Sequence, residues 1–326
     1  MIKIYNSKDI VALTGCPRKN GDQTMNTNTS VTDHATPTVR EHFTTGSVTS
    51  RDGTTIGYLQ TGHGPGVVVL HGAMESARSH TQLARALADS YTVYLPDRRG
   101  RGLSGPFGTE YSIQREVEDL EALLTRTGAR NIFGVSAGAD ICLQAALTLP
   151  DIHKVALYEP ALFMNESVPA AFLARFDREM AQGNVAAALV TAMKGAQMGP
   201  PVFNVMPRWL LQSLTKMAMN GEAKKAKDGD MTMAAFAPTL HYDFHLVVEM
   251  SGKLQRFSAV RAETLLLGGS KSPAYLKVAL DALEKVLPHV RRVEFPGLDH
   301  GGSSDISNTN RRGQPEQVAR ELRRFW

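Results

Sequence analysis

The 326-residue sequence contains only two cysteines, and none of its apolar runs approaches the roughly 20 residues that cross a bilayer. Two cysteines cannot crosslink a chain of this length or form a zinc cluster, which excludes disulfide scaffolds and cysteine-rich metal folds. The 36 Lys and Arg nearly balance the 32 Asp and Glu, leaving a net charge of +4. Because the basic residues are also dispersed, we expect no nucleic-acid partner.

What is present indicates a globular chain, since 42% of the residues are hydrophobic and 21% are charged. The length suits one large α/β domain, or one such domain with an insertion.

The first 42 residues offer little to bury. Residues 17–41 are rich in Thr, Asn, Asp and Ser, which predicts a disordered tail over 1–42. Residues 13–16 resemble the end of a lipoprotein signal with its lipidation site at Cys16, but polar residues at 6–9 interrupt the apolar stretch that such a signal requires. We therefore expect a cytoplasmic protein. A further hypothesis is that Met25 is the natural start.

From residue 43 onward, strand and helix patterns alternate. The β-prone runs 43–50 and 54–61 flank a turn signal, and further strands are predicted at 67–70, 92–95, 131–135, 154–158, 263–267 and 291–295. Helices are predicted at 78–89, 113–127, 137–149, 274–287 and 315–325. This alternation predicts an α/β fold with a mostly parallel, doubly wound sheet and an antiparallel start.

The alternation stops between the strand at 154–158 and the strand at 263–267. The pattern of residues 161–253 predicts a succession of helices, and this segment contains ten of the thirteen methionines. We therefore predict a core of residues 43–160 and 254–326, with a helical cap of residues 161–253 inserted after the sixth strand. The methionines either fill the helix cores or form an adaptable apolar pocket wall. The charged run 222–230 is predicted to be an exposed helix end.

The strongest motif is G-x-S-x-G at residues 134–138, at the junction of a strand and a helix. Ser136 is then expected on a sharp, strained turn, where Gly134 and Gly138 leave no side chains to collide. The hydroxyl would stand above the end of the sheet, and the backbone N–H of Ala137 would point to a developing oxyanion.

Two other loops carry polar motifs after strands. Residues 71–73, His-Gly-Ala, follow the strand at 67–70, and a tight turn there makes the N–H of Ala73 a candidate second oxyanion donor. His71 is expected to hold its loop by hydrogen bonds. The run D-R-R-G-R-G-L-S at 97–104 follows the next strand, and Asp97 with its arginines is interpreted as a structural lock.

Residues 43–326 resemble the α/β-hydrolase fold superfamily through these three motifs: His71-Gly72, the 97–104 loop and Gly134–Gly138. The 97–104 pattern is frequent in the capped esterase, lactonase and perhydrolase-like branch. The resemblance implies a Ser–acid–His triad, no cofactor and a lid after the sixth strand.

The base implied by this resemblance is a histidine in the loop after the last strand, and His300 fits, with glycines on both sides of its loop. A neutral imidazole there can take the Ser136 proton and return it to the leaving group. Five other histidines lack this context, namely His80, His153, His241, His245 and His289. His241 and His245 share a helix face, but a metal site needs more ligands.

The acid departs from the common pattern, because the loop at 268–273, where most relatives carry Asp, has no carboxylate. Lys271 or Ser272 occupies the expected position, depending on alignment. Glu159 ends the strand after the nucleophile helix, and in some branches of the fold the acid comes from that strand end. We therefore predict that Glu159 orients His300, with Asp299 as the alternative.

The leading hypothesis is a serine hydrolase that cleaves a hydrophobic carboxylic ester or lactone of small to medium size through an acyl-enzyme. Predicted pocket residues are Met74, Phe163, Trp209 and His241. The same triad also fits C–C bond, amide or perhydrolase chemistry. A third alternative is a non-catalytic ligand receptor, which the missing Asp at 268–273 favours and the intact Ser136 and His300 oppose.

Overall fold

The computed structural model describes residues 43–199, 202–226, 231–307 and 310–326. The predictions for the first 42 residues, namely the tail, the signal at Cys16 and the start at Met25, lie outside the described residues. From residue 43 the predicted order of strands and helices is confirmed, and the element ends differ from the predicted ones by a few residues.

Eight strands form one sheet in the order β1-β2-β4-β3-β5-β6-β7-β8. β1 pairs antiparallel with β2, and β2 antiparallel with β4, whereas the remaining neighbours are parallel. The predicted antiparallel start is therefore confirmed. The strands are β1 Thr44–Thr49, β2 Thr55–Gly62, β3 Gly66–Leu70, β4 Thr92–Pro96, β5 Asn131–Val135, β6 Lys154–Tyr158, β7 Glu263–Gly269 and β8 Val290–Phe295.

Helices cover both faces of the sheet, which explains why its central strands are apolar on both sides. In β3, Val68 and Leu70 belong to one core and Val67 and Val69 to the other. The first core is closed by α2 Ile113–Thr127, α3 Ala137–Thr148 and α10 Ala274–Val286, and the second by α1 Thr81–Leu87 and α11 Pro315–Phe325. A 3₁₀ turn, Ala77–His80, precedes α1 within the helix predicted at 78–89.

The chain is helical between β6 and β7. It runs through α4 Ser167–Ala181, α5 Val185–Gly195, α6 Val202–Val205, α7 Arg208–Ala223, α8 Met233–Phe236 and α9 Thr239–Met250, and a 3₁₀ helix, Leu254–Ala259, leads into β7. These helices have a small core of their own around Phe176, Leu189 and Leu240. Division of the chain into a core and a cap stays a prediction. In the described ranges, no helix has the length and apolarity that a membrane crossing requires.

One end of this helical segment is held to the sheet by buried charges. The carboxylate of Asp243 on α9 accepts hydrogen bonds from Arg98 at 2.9 Å and from Arg101 at 2.5 Å. Both arginines come from the loop after β4, and both are buried. Glu249, also on α9, accepts from the N–H of Ile113 at the start of α2 at 2.9 Å. α9 is therefore anchored to the loops that follow β4.

The prediction that 222–230 is an exposed helix end was wrong at its first residue. α7 ends at Ala223, Lys224 and Lys225 are exposed, and residues 227–230 lie outside the described residues. Glu222, however, is buried, because its carboxylate accepts the backbone N–H of Met233 at 2.9 Å. The carboxylate thereby joins the end of α7 to the start of α8.

Candidate active site

Ser136 lies on the turn between β5 and α3 with φ 54° and ψ −122°. A positive φ is costly for a residue with a side chain, so the surrounding packing must hold it. A Cβ at Gly134 would lie 2.4 Å from the carbonyl oxygen of Gly138, and one at Gly138 would lie 2.5 Å from two carbonyl oxygens at the end of β3. Only glycine fits at either position, which is the physical reason for the motif's spacing.

Two backbone N–H groups flank the position of Ser136. Ala137 is the first residue of α3, and Ala73 follows Gly72 in the loop after β3. A Cβ at Gly72 would lie 3.1 Å from the Cβ of Ser136, so this loop passes directly beside the serine. The N–H groups of Ala73 and Ala137 have no hydrogen-bond acceptor among the residues that the structure describes. Both donors are therefore available to a ligand.

The loops after β3 and β4 are tied together by His71 and Asp97. Nδ1 of His71 lies 2.9 Å from the carbonyl oxygen of the next residue, and Nε2 accepts the N–H of Arg98 at 3.1 Å. Burial and the nearby arginine charges hold the pKa of His71 well below its ordinary value, so the ring is neutral. The carboxylate of Asp97 accepts the N–H groups of Ala77 and Leu103 at 2.8 and 2.9 Å. These are the loop-holding contacts that the sequence predicts.

Glu159 and His300 are in direct contact. Glu159 follows β6 with φ 50° and is fully buried. Its Oε2 lies 2.7 Å from Nδ1 of His300, and its Oε1 accepts the N–H of Gly269 at 2.6 Å. Both carboxylate oxygens therefore have partners, and the one that faces His300 leaves Nε2 on the opposite side of the ring.

The loop after β7 explains how Glu159 reaches this position. A Cβ at Gly268 would lie 3.0 Å from Oε1 of Glu159, so glycine leaves the space that the carboxylate occupies. Lys271 is exposed, and Ser272 is buried with a hydroxyl that has no partner among the described residues. The loop thus contributes a backbone donor to the carboxylate of Glu159 and no carboxylate of its own.

Asp299, the alternative acid, has other partners. Its Oδ1 accepts the N–H of Gly301 at 3.1 Å, and its Oδ2 lies 3.4 Å from the guanidinium of Arg312. Of the two carboxylates considered, the structure places Glu159 against Nδ1 of His300.

The environment of His300 favours its protonated form. Burial lowers the pKa of the imidazole, but the hydrogen bond and the charge of Glu159 outweigh burial and raise the pKa above its ordinary value. The His300 side chain is 13% exposed, whereas that of Glu159 is fully buried. An imidazolium formed there is stabilised by Glu159.

Tyr158 connects the serine turn to the histidine loop. Its carbonyl oxygen accepts the N–H of Ser136 at 3.0 Å, and its hydroxyl donates to the carbonyl oxygen of Asp299 at 2.8 Å. The hydroxyl of Ser136 makes no hydrogen bond with any described residue, His300 included. Such contacts often tighten only when a substrate is bound.

Two of the predicted pocket residues lie where the helical segment meets the sheet. Met74 directly follows Ala73, has φ 57°, and packs with it against the small core of the helical segment. Phe163 follows β6 by a few residues and stacks on Tyr275, at the start of α10, with ring centroids 4.7 Å apart. Three of the four described non-glycine residues with positive φ, namely Met74, Ser136 and Glu159, therefore follow β3, β5 and β6.

The other two predicted pocket residues lie on the helical segment. Trp209 is the second residue of α7 and is 68% exposed. His241 on α9 is 44% exposed, and its Nδ1 lies 2.8 Å from the carboxylate of Asp177 on α4. Their part in a pocket stays a prediction.

Sequence reasoning missed a hydrogen-bonded group around Glu75, beside the loop after β3. Glu75 accepts a hydrogen bond from the N–H of Gly72 and contacts His80 and Ser304. The available signal was a carboxylate and a histidine five residues apart, directly after the His71-Gly72 pair. Among the described residues, no group of three or more His, Cys, Asp or Glu side chains is arranged to hold a metal ion.

Several known proteins are similar to this chain in sequence. A pimeloyl-[acyl-carrier protein] methyl ester esterase of Xanthomonas axonopodis pv. citri is 22% identical over 81% of this chain and 96% of its own length. A cis-3-alkyl-4-alkyloxetan-2-one decarboxylase of Shewanella oneidensis is 36% identical over 23% of this chain, and an uncharacterized hydrolase of Bacillus subtilis 31% over 34%. The matches to these last two proteins span only 24% and 42% of their lengths.

Solved structures show the same fold. An alpha/beta hydrolase from Sphaerobacter thermophilus superposes with a TM-score of 0.68 and 29% identity, over 86% of this chain and 99% of that one. A thermophilic esterase from Thermogutta terrifontis superposes with a TM-score of 0.65 and 17% identity, over 86% and 97%. The model of the alpha/beta hydrolase family matches residues 67–321. The chain therefore belongs to the alpha/beta hydrolase family.

Proposed function

We propose that this chain is a serine hydrolase of carboxylic esters or lactones, with Ser136 as nucleophile, His300 as base and Glu159 as the orienting acid. The observation that carries the proposal is the 2.7 Å contact between Glu159 and Nδ1 of His300. A buried carboxylate on Nδ1 selects the tautomer whose Nε2 can accept a proton, which is the requirement of a Ser–His–acid triad.

The chemistry follows from these positions. The Ser136 hydroxyl attacks the acyl carbon while His300 takes its proton. The N–H groups of Ala73 and Ala137 stabilise the negative oxygen of the tetrahedral intermediate. His300 then protonates the leaving alcohol, and a water molecule, activated by the same ring, hydrolyses the acyl-enzyme.

The substrate class is proposed from the surroundings of the serine. Met74 packs against the helical segment, and Phe163 stacks at its entry from β6, so the acyl chain would meet apolar side chains. One relative supports ester hydrolysis, since it is named as a methyl ester esterase. The relative named as an oxetan-2-one decarboxylase supports only a lactone ring as ligand, because its named reaction is a decarboxylation. We propose a small to medium hydrophobic substrate that is held beneath the helical segment as a cap.

A receptor without catalysis was the alternative raised by the missing Asp after β7. The contact of Glu159 with His300 supplies the carboxylate that the alternative takes to be absent. The enzyme proposal is therefore the better supported.

Hydrolysis of p-nitrophenyl esters from acetate to decanoate tests the proposal, with the wild type, Ser136→Ala and the surface control Ser258→Ala. We expect turnover that is lost only in Ser136→Ala, and a chain-length preference that measures the pocket. Covalent labelling by a fluorophosphonate, also lost only in Ser136→Ala, is expected even if simple esters are poor substrates. A wild type that neither hydrolyses these esters nor is labelled by the fluorophosphonate would refute the proposal.

A further inference from the structure

Glu75 lies between two loops that carry parts of the proposed site. Its Oε2 accepts the N–H of Gly72 at 2.8 Å, and its Oε1 accepts the hydroxyl of Ser304 at 2.6 Å. Gly72 immediately precedes Ala73, the proposed second oxyanion donor, and Ser304 lies four residues after His300. A single carboxylate therefore joins the loop after β3 to the loop after β8.

Further hydrogen bonds, made by the residue after Ser304, hold the same two loops together. The carboxylate of Asp305 accepts the N–H of Gln82 at 2.8 Å and the hydroxyl of Thr81 at 2.6 Å, so it caps the first turn of α1. The N–H of Asp305 donates to the carbonyl oxygen of Ser79 at 2.9 Å. The segment after His300 is thereby fixed to the segment that follows Glu75.

The charge of Glu75 is balanced by a buried histidine. Nε2 of His80 lies 3.2 Å from Oε2 of Glu75, and the His80 side chain is 1% exposed. Burial lowers the pKa of His80, but the charge and hydrogen bond of Glu75 outweigh it and raise the pKa. Burial likewise raises the pKa of Glu75, but His80 and the other hydrogen bonds bring it to about 2. Each member of the pair therefore favours the charged form of the other.

The charge balance between Glu75 and His80 matters because the Glu75 carboxylate lies close to Ser136. A Cβ at Gly72 would be 3.3 Å from Oε2 of Glu75 and 3.1 Å from the Cβ of Ser136, so Glu75 approaches the serine. A negative charge there opposes an oxyanion unless a positive charge accompanies it.

We propose that Glu75 is a positioning residue that fixes the loop after β3, which carries Ala73, relative to the loop after β8, which carries His300. We also propose that His80 neutralises the charge of Glu75 beside the oxyanion. This inference rests on the proposed function. Glu75 acts through Gly72, Ser304 and His300 and does not touch the reacting atoms.

His300 provides a readout that a purely structural role would leave unchanged. Glu159 after β6 contacts its ring, and the charges of Glu75 after β3 and Asp299 in its own loop also act on it, so that all three carboxylates raise its pKa. Removing the charge of Glu75 should therefore lower the pKa of His300 and move the acid limb of kcat/KM to lower pH.

The test compares Glu75→Gln, His80→Gln, the double variant and Ser304→Ala, with the exposed Glu110→Gln as matched control. We expect Glu75→Gln to lower kcat about 10- to 100-fold with little change in KM, because a displaced oxyanion donor costs about that much or more. Its acid limb should move to lower pH. Ser304→Ala keeps the charge, so it should lower kcat by less than about tenfold without moving the limb.

The double variant, Glu75→Gln with His80→Gln, tests whether His80 neutralises the charge of Glu75. His80→Gln alone leaves an uncompensated carboxylate near the oxyanion, so restoring neutrality with Glu75→Gln should recover kcat relative to His80→Gln. Wild-type kcat in Glu75→Gln, an unmoved limb, or a double variant slower than His80→Gln would overturn the inference.

Failure of this inference is distinguishable from failure of the proposed function. If Ser136→Ala abolishes turnover while Glu75→Gln and Ser304→Ala match the wild type, only the role of Glu75 is refuted. If Glu75→Gln does not fold, the inference is tested by kcat and by the acid limb of kcat/KM in Ser304→Ala and His80→Gln. If ester turnover is absent, the rate of fluorophosphonate labelling of Ser136 replaces kcat in every comparison.

Discussion

Replacing Glu159 by Gln exchanges one carboxylate oxygen for an amide NH₂ in an unchanged shape. The N–H of Gly269 is a donor only, so it keeps the oxygen of the new amide on its own side, where Oε1 of Glu159 now accepts at 2.6 Å. The NH₂ group must then face Nδ1 of His300. A donor at that position turns Nδ1 into an acceptor and puts the ring proton on Nε2.

The expected loss follows from this tautomer. With its proton on Nε2, His300 cannot take the proton of Ser136, and the imidazolium also loses the charge that stabilises it. The equivalent exchange in a serine protease triad costs about 10⁴ in kcat. We expect a fall of about 10³- to 10⁴-fold, which corresponds to about 4–5.5 kcal/mol of transition-state stabilisation.

The assay is steady-state hydrolysis of the best p-nitrophenyl ester, with Asp299→Asn as the matched control. Asp299 is a carboxylate next to His300, but its partners are Gly301 and Arg312, so the control should lose less than about tenfold. Near-wild-type turnover in Glu159→Gln, or an equal loss in Asp299→Asn, would refute Glu159 as the acid.

Three further predictions concern pH and stability. Because the pKa of His300 is raised and its neutral form is the base, ester hydrolysis should fall as pH drops, with an apparent pKa above 6.5 in kcat/KM; a limb below 6.5 would contradict this. Asp243→Asn should lower the free energy of unfolding in urea by about 3 kcal/mol, because two buried arginines lose their shared carboxylate, whereas the exposed Asp151→Asn should change it by less than about 1 kcal/mol. Gly138→Ala should lower both stability, by about 1–3 kcal/mol, and ester turnover, because its Cβ would meet two carbonyl oxygens at 2.5 Å. Gly221→Ala on α7 is the control, because a Cβ there would meet open space, and it should leave stability unchanged or raise it by up to about 1 kcal/mol. Thermal or urea unfolding measures both variants. Equal losses of stability in the two variants would contradict the packing argument.

Local patterns carried much of the fold. Residues 67–70 are apolar throughout because β3 is covered on both faces, and the glycines at 134 and 138 are required by backbone contacts of 2.4–2.5 Å. The contact between Glu159 and His300 was also predictable, because the order of strands in a parallel sheet brings their carboxyl ends to one edge. The catalytic roles themselves stay predictions.

What escaped prediction depends on pairs that are distant in sequence. Asp243 pairs with arginines more than 140 residues earlier, and Ser304 reaches Glu75 across 229 positions. Periodicity describes which face of an element is buried, but it does not identify which buried charge meets which. The same limit left Glu75 and His80 without a role until the loops were placed.

The hydrogen bond from Gly269 to Glu159 has a consequence for how such proteins are recognised in genomes. A backbone donor adds no carboxylate to the sequence of the loop, so a motif search that demands an acid after the seventh strand would not find one at 268–273 in this chain. Because the donor is a backbone group, the side chains of this loop are not required for the contact with Glu159. Substitutions at Lys271 should accumulate neutrally, whereas the glycines at 268 and 269 should resist change, and a deep mutational scan of this loop would show that contrast.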